Sequence, residues 1–150
     1  MVVANNCKEF KEIGSSKSLP FRQFYAEDRD DMISDSMFYY FNSIQKYLGQ
    51  YWNYDGQSKP QNILQSTVGY EALMNLLAEI IKRNNISSFE NGTFDASVEK
   101  LVGIDFSDLE TYPMTTRGKN ILYLTMSLTV FPSANPNDQR NIKLQELLHR

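Results

Sequence analysis

The chain has 150 residues, a formal charge of −3, 41% hydrophobic residues and 13% aromatic residues. That length fits one domain burying roughly 68–70% of its unfolded surface, and the acidic balance opposes non-specific binding to a phosphate backbone. A single cysteine, Cys7, excludes an intrachain disulfide and a multi-cysteine metal site, and it suits a reducing cytoplasm.

Residues 1–30 read as a partly flexible N-terminal arm, ahead of a helical domain over residues 31–150. Gly14, Ser15, Ser16 and Ser18 make a flexible link, and Leu19 before Pro20 favours extended backbone. Phe21, Phe24 and Tyr25 are placed to pin the arm onto the domain. The N-terminus lacks the charged and apolar regions of a signal peptide. No apolar run approaches the roughly 20 residues of a membrane span. A soluble, cytoplasmic protein is expected.

A first helix is predicted over residues 31–52, entered through the acidic run of Glu27, Asp28, Asp30 and Asp31, since free backbone N–H groups favour negative charge there. Ile33, Met37, Tyr40, Phe41, Ile44, Leu48, Tyr51 and Trp52 recur at steps of three and four, which places them on one face. Gly49 loosens the last turn. Asp55 and Gly56 mark a turn-rich connection. A second helix is predicted over residues 68–84, capped by Ser66 or Thr67. Tyr70, Leu73, Met74, Leu77, Ile80 and Ile81 form its stripe. Lys82 and Arg83 suit its C-terminal end, and Asn84 and Asn85 stop it.

Glu90, Asn91 and Gly92 predict a turn. A short helix follows over residues 95–102, with Asp95 as cap, Gly103 just past its end, and Phe94, Val98, Leu101 and Val102 buried. Between residues 120 and 131, Leu122, Leu124, Met126, Leu128 and Val130 alternate with Tyr123, Thr125, Ser127 and Thr129. That alternation favours a strand, although Ile121, Leu124, Leu128 and Phe131 also fit a helix; Ile63 and Leu64 are the nearest pairing partner. A last helix is expected after Asn135 as cap and Pro136 at the first helical position, with Asp138 in its first turn. Ile142, Leu144, Leu147 and Leu148 form its apolar side. That pattern still runs at Arg150, as in a piece of a longer protein. The expected fold is mainly α: a single domain of about four helices with a short strand or small β element.

Catalytic chemistry finds little support. His149 is the only histidine, with no neighbouring ligand to complete a metal shell, and Cys7 has no base beside it. Two carboxylate groups, Asp28, Asp30, Asp31 and Asp35, then Asp105, Asp108 and Glu110, lie in polar surroundings that favour capping over catalysis. No catalytic residue, cofactor or metal is assigned. Thr115, Thr116, Arg117 and Lys119, with Gly118, form the best anion-binding candidate, since hydroxyls, cations and backbone N–H groups cradle phosphates. Tyr39, Tyr47, Tyr51 and Trp52 are candidates for partner contact, where tyrosine and tryptophan are favoured.

Residues 38–48, then Tyr51 and Trp52, then residues 63–70 and 73–77, together resemble the C-terminal helical part of DGQHR-domain proteins. Those are prokaryotic proteins, some associated with DNA phosphorothioation and defence loci. The resemblance covers about residues 35–85. The family's named motif is not in this chain, so no functional residue is carried over from it. The resemblance implies an accessory or binding role near DNA modification or defence. Taken together, the expectation is a non-enzymatic protein-interaction module with a protein partner or a homo-oligomer. The alternative is a small nucleic-acid- or nucleotide-binding protein using the basic turn and an aromatic face, and an enzyme built on the carboxylates is least supported.

Overall fold

The computed structural model describes residues 21–53 and 59–150. The readings at Cys7, at residues 14–20 and at Asp55 and Gly56 lie outside them. The described residues form six α-helices and two short 3-10 turns, with no strand among them. The fold is mainly α, as expected.

Helix α1 (Arg22–Ala26) is a single turn, and Phe24 meets Phe89 edge-on with ring centroids 5.9 Å apart. Helix α2 (Asp30–Trp52) starts within one residue of expectation and carries Asp30 and Asp31 in its first turn. Its early buried face is Met32 and Ser36 rather than Ile33 and Met37. The serine hydroxyls on this face are buried with partners. Ser36 donates to the Ile33 carbonyl at 2.8 Å and Ser43 donates to Asp95 at 2.6 Å. Just before Gly49, Leu48 leaves helical backbone (φ −119°, ψ 20°), so the last turn is bent.

The Ile63–Gln65 segment is a 3-10 turn, not a strand. It leads into α3 (Thr67–Arg83), whose cap is Ser66. The Ser66 hydroxyl accepts from the Gly69 amide at 3.2 Å. Leu73, Leu76, Leu77 and Ile80 are fully buried and form the centre of the core with Tyr40 and Ile44 of α2. The Tyr40 hydroxyl ties the two helices by donating to the Leu73 carbonyl at 2.9 Å. Asn85 adopts left-handed backbone (φ 50°), and the Ile86 amide reaches back to the Ile81 carbonyl at 3.0 Å. That closure stops α3 where the paired asparagines predict.

Helix α4 (Asp95–Glu99) runs into a second 3-10 turn, Lys100–Gly103. Asp95 is no cap. Its carboxylate points instead to α2, receiving Ser43 and, at 2.7 Å, Lys46. Phe94, Val98 and Leu101 are buried as expected, whereas Val102 is exposed.

The largest correction is α5 (Thr116–Val130), a helix where alternation favours a strand. It lies between α3 and the last helix. Apolar residues are therefore needed around most of its circumference, and the 3.6-residue period is masked. Its threonines no longer compete with helix, because Thr125 and Thr129 donate to the carbonyls of Ile121 and Thr125 at 2.8 and 2.7 Å. Helix α6 (Gln139–Leu148) begins later than expected. Asp138 is the cap, accepting from the Arg140 amide at 2.8 Å. Asn135 instead accepts from the Asn137 amide at 3.0 Å in the preceding turn, which also holds Pro136.

Candidate functional site

The bend at Leu48 assembles the most distinctive surface. A straight helix would set Phe41 and Trp52 about 16 Å apart along its axis. The bent last turn brings their rings to a centroid distance of 5.3 Å, inclined by 25°. Tyr70, from the first turn of α3, also stacks with Phe41, at 5.8 Å and 7°. Phe41 is thus shared by two stacked pairs.

Beside these rings lies an open groove of about 330 Å³ lined by Trp52, Leu64, Gln65, Ser66, Thr67 and Tyr70. None of these six carries a carboxylate, an imidazole or an amine. Tyr70 is 40% exposed, and Phe38, one turn before Phe41, is 62% exposed with its ring edge-on to Tyr39 at 5.3 Å. The result is an apolar ledge with hydroxyl and amide groups at its edge, held on helices.

Of the four expected contact residues, only Trp52 lines this groove. Tyr39, Tyr47 and Tyr51 are partly buried against the core. Tyr51 packs edge-on to Phe106 at 5.2 Å, and Lys46 lies 4.9 Å from the Tyr47 ring centre. The helical periodicity sets Phe41 and Tyr70 on apolar stripes and leaves Phe38 off them. Phe38 is two positions from Tyr40, about 200° around the helix, which places it opposite the buried face.

The basic turn is engaged within the chain. Thr115 caps α5, accepting from the Gly118 amide at 3.3 Å. Thr116 is the first helical residue. Arg117 donates twice to the Leu147 carbonyl, at 3.1 and 2.7 Å, and Lys119 pairs with Glu71 at 2.9 Å. A phosphate would have to compete with these contacts.

A polar cluster that sequence reasoning missed joins three helices. The Glu79 carboxylate, with a side chain only 10% exposed, receives the Tyr123 hydroxyl at 2.6 Å, the Ser127 hydroxyl at 2.7 Å and Arg83 Nε at 2.8 Å. Arg140 stands 3.9 Å from it and pairs with Asp138 at 2.7 Å. Burial, then the Glu79 carboxylate, pushes the Tyr123 phenol well above its usual range. The Arg140 guanidinium holds Asp138 far below the usual carboxylate range. Each charge in the cluster meets its complement, which is the signature of an internal tie between helices.

Three of the carboxylates in the two acidic groups have local partners. Asp31 pairs with Arg29 at 3.0 Å, Asp105 accepts from Ser107, and Asp108 accepts from the Thr111 amide. His149 is exposed near Gln145. Among the described residues no group of three or more His, Cys, Asp and Glu side chains is placed to hold a metal ion, and no helix is long and apolar enough to cross a membrane. Comparison with family models, curated proteins and solved structures gives no match.

Proposed function

We propose that the chain is a non-enzymatic accessory module of a prokaryotic cytoplasmic system, linked to DNA modification or defence, that binds a partner protein through its aromatic ledge. The observation that carries the binding reading is the stacking of Trp52 and Tyr70 with Phe41 beside an uncharged groove, with Phe38 exposed nearby. Aromatic side chains on a rigid frame contribute large contact area at little entropic cost, as interface anchors do. The uncharged lining favours a segment of partner chain with apolar side chains over a charged ligand. The link to DNA modification or defence rests on the resemblance of residues 35–85 to DGQHR-domain proteins.

Nucleic-acid binding is the weaker alternative. Its aromatic requirement is met by the ledge, but Arg117 and Lys119 are committed to Leu147 and Glu71. Size-exclusion chromatography with light scattering separates the two readings. The chain is mixed in turn with the products of the genes flanking its own. A discrete complex with one of them supports the interaction reading. Elution alone with every product, together with salt-sensitive retention of single-stranded nucleic acid, contradicts it.

A further inference from the structure

Helix α6 has no fully buried side chain, in contrast to α3 and α5. Leu144 and Leu147 pack partway against the core, whereas Ile142 and Leu148 are 39% and 41% exposed. Apolar burial therefore contributes less to its attachment than to that of α3 or α5, because that stabilisation scales with the area removed from water.

Two arginines pin it as well, one at each end. In the first turn, Arg140 Nη1 donates to the Ser127 carbonyl at 3.2 Å and the Ser127 hydroxyl at 3.1 Å. The same nitrogen stands 3.9 Å from Glu79. In the last turn, Arg117 of α5 grips the Leu147 carbonyl at 3.1 and 2.7 Å. Between these pins, on the face of α5 that carries Arg117, Leu124 is buried yet stands outside the main core cluster.

We propose that α6 is a releasable strap, pinned by Arg140 and Arg117, which lifts as a unit and uncovers the Leu124 face of α5 while α2, α3 and α5 stay folded. Glu79 keeps Arg83, Tyr123 and Ser127 when Arg140 leaves, so no bare carboxylate is left buried. Arg140 leaves together with Asp138, its partner at 2.7 Å, which lies at the strap's own N-terminus. Opening therefore strands no charge. The Arg140–Glu79 pair is largely shielded from solvent, with side chains 14% and 10% exposed, so its attraction is only weakly screened by salt and the pin is released by removing the arginine.

Native-state hydrogen exchange on the full chain tests this. Amides of α6 should exchange at least about tenfold faster than those of α5. Arg140→Gln should widen that ratio while α3 and α5 keep their rates. Lys143→Gln, an exposed charge on the same helix, should change nothing. Exchange of α6 in step with α5 overturns the proposal. So does a ratio indifferent to Arg140→Gln, or global unfolding of that variant. The ratio in the parent chain is read without any substitution.

Discussion

Gly69 and Gly118 occupy the same position in two different helices. Each amide donates to the hydroxyl of the capping residue three positions earlier, Ser66 or Thr115. Each α-carbon also lies against the backbone just before its helix: a Cβ on Gly69 would stand 2.0 Å from the Ile63 carbonyl oxygen, and one on Gly118 1.7 Å from that of Pro113. Helices α3 and α5 pack on each other, so the same device sets the start of both central helices.

Gly69→Ala and Gly118→Ala should therefore each destabilise the fold by about 3 kcal/mol or more, because rigid backbone must move. Helix propensity alone predicts the opposite sign, a gain of about 1 kcal/mol for alanine over glycine. Denaturant melts of the two variants decide between them. Thr115→Ala removes the cap and should cost about 1 kcal/mol, whereas Ser66→Ala also removes the 2.6 Å hydrogen bond to the Ile63 carbonyl and should cost about 1 kcal/mol more.

The Glu79 cluster gives a second expectation. Tyr123→Phe removes one of the hydroxyls on a nearly buried carboxylate and should cost about 1–2 kcal/mol. In a double-mutant cycle with Glu79→Gln, the two changes should be non-additive by about 1 kcal/mol. Additive losses would mean that the hydroxyl and the carboxylate do not support each other.

Stability should fall at both ends of the pH scale, for different groups. Asp95 is held below its usual range chiefly by Lys46 and then Ser43, and Asp138 chiefly by Arg140. A carboxyl whose folded pKa is depressed contributes stability above its unfolded value of about 3.9, lost as pH falls through the folded value. Burial raises the phenols of Tyr40 and Tyr123. A phenol so raised contributes stability below its unfolded value of about 10, lost as pH rises toward the folded value. Thermal melts should thus be level between about pH 5 and 9. Asp138→Asn should flatten part of the acid limb, and Tyr123→Phe part of the alkaline limb.

The parts legible in the sequence are those whose signals are local. Helices α2 and α3 each bury one face, so their periodicity survives, and Ser66, Asn84 and Asn85 mark the boundaries by chemistry that acts within a few residues. Helix α5 was illegible because neighbours on two sides erase the contrast between its faces. Asn135 and Asp138 both suit a cap, and only the placement of α6 against Ser127 selects Asp138. The ledge was half legible. Periodicity marks Trp52 as apolar, but the bend at Leu48 that turns it onto Phe41 has no plain sequence signal beyond Gly49. Glu79 reads as an ordinary helix-surface charge, since its partners Tyr123, Ser127 and Arg140 arrive from other helices.

The ledge itself gives the most direct measurement. Phe38 and Tyr70 are exposed, so Phe38→Ser combined with Tyr70→Ser should leave the chain folded, at a cost of about 1 kcal/mol for the lost Phe41–Tyr70 stack, while interface aromatics of this kind carry about 2 kcal/mol or more of binding each. Co-purification of flanking-gene products with the parent chain and with the double variant reads the difference. The parent should retain a partner in stoichiometric amount and the folded double variant should lose it. Equal retention by both would contradict the account.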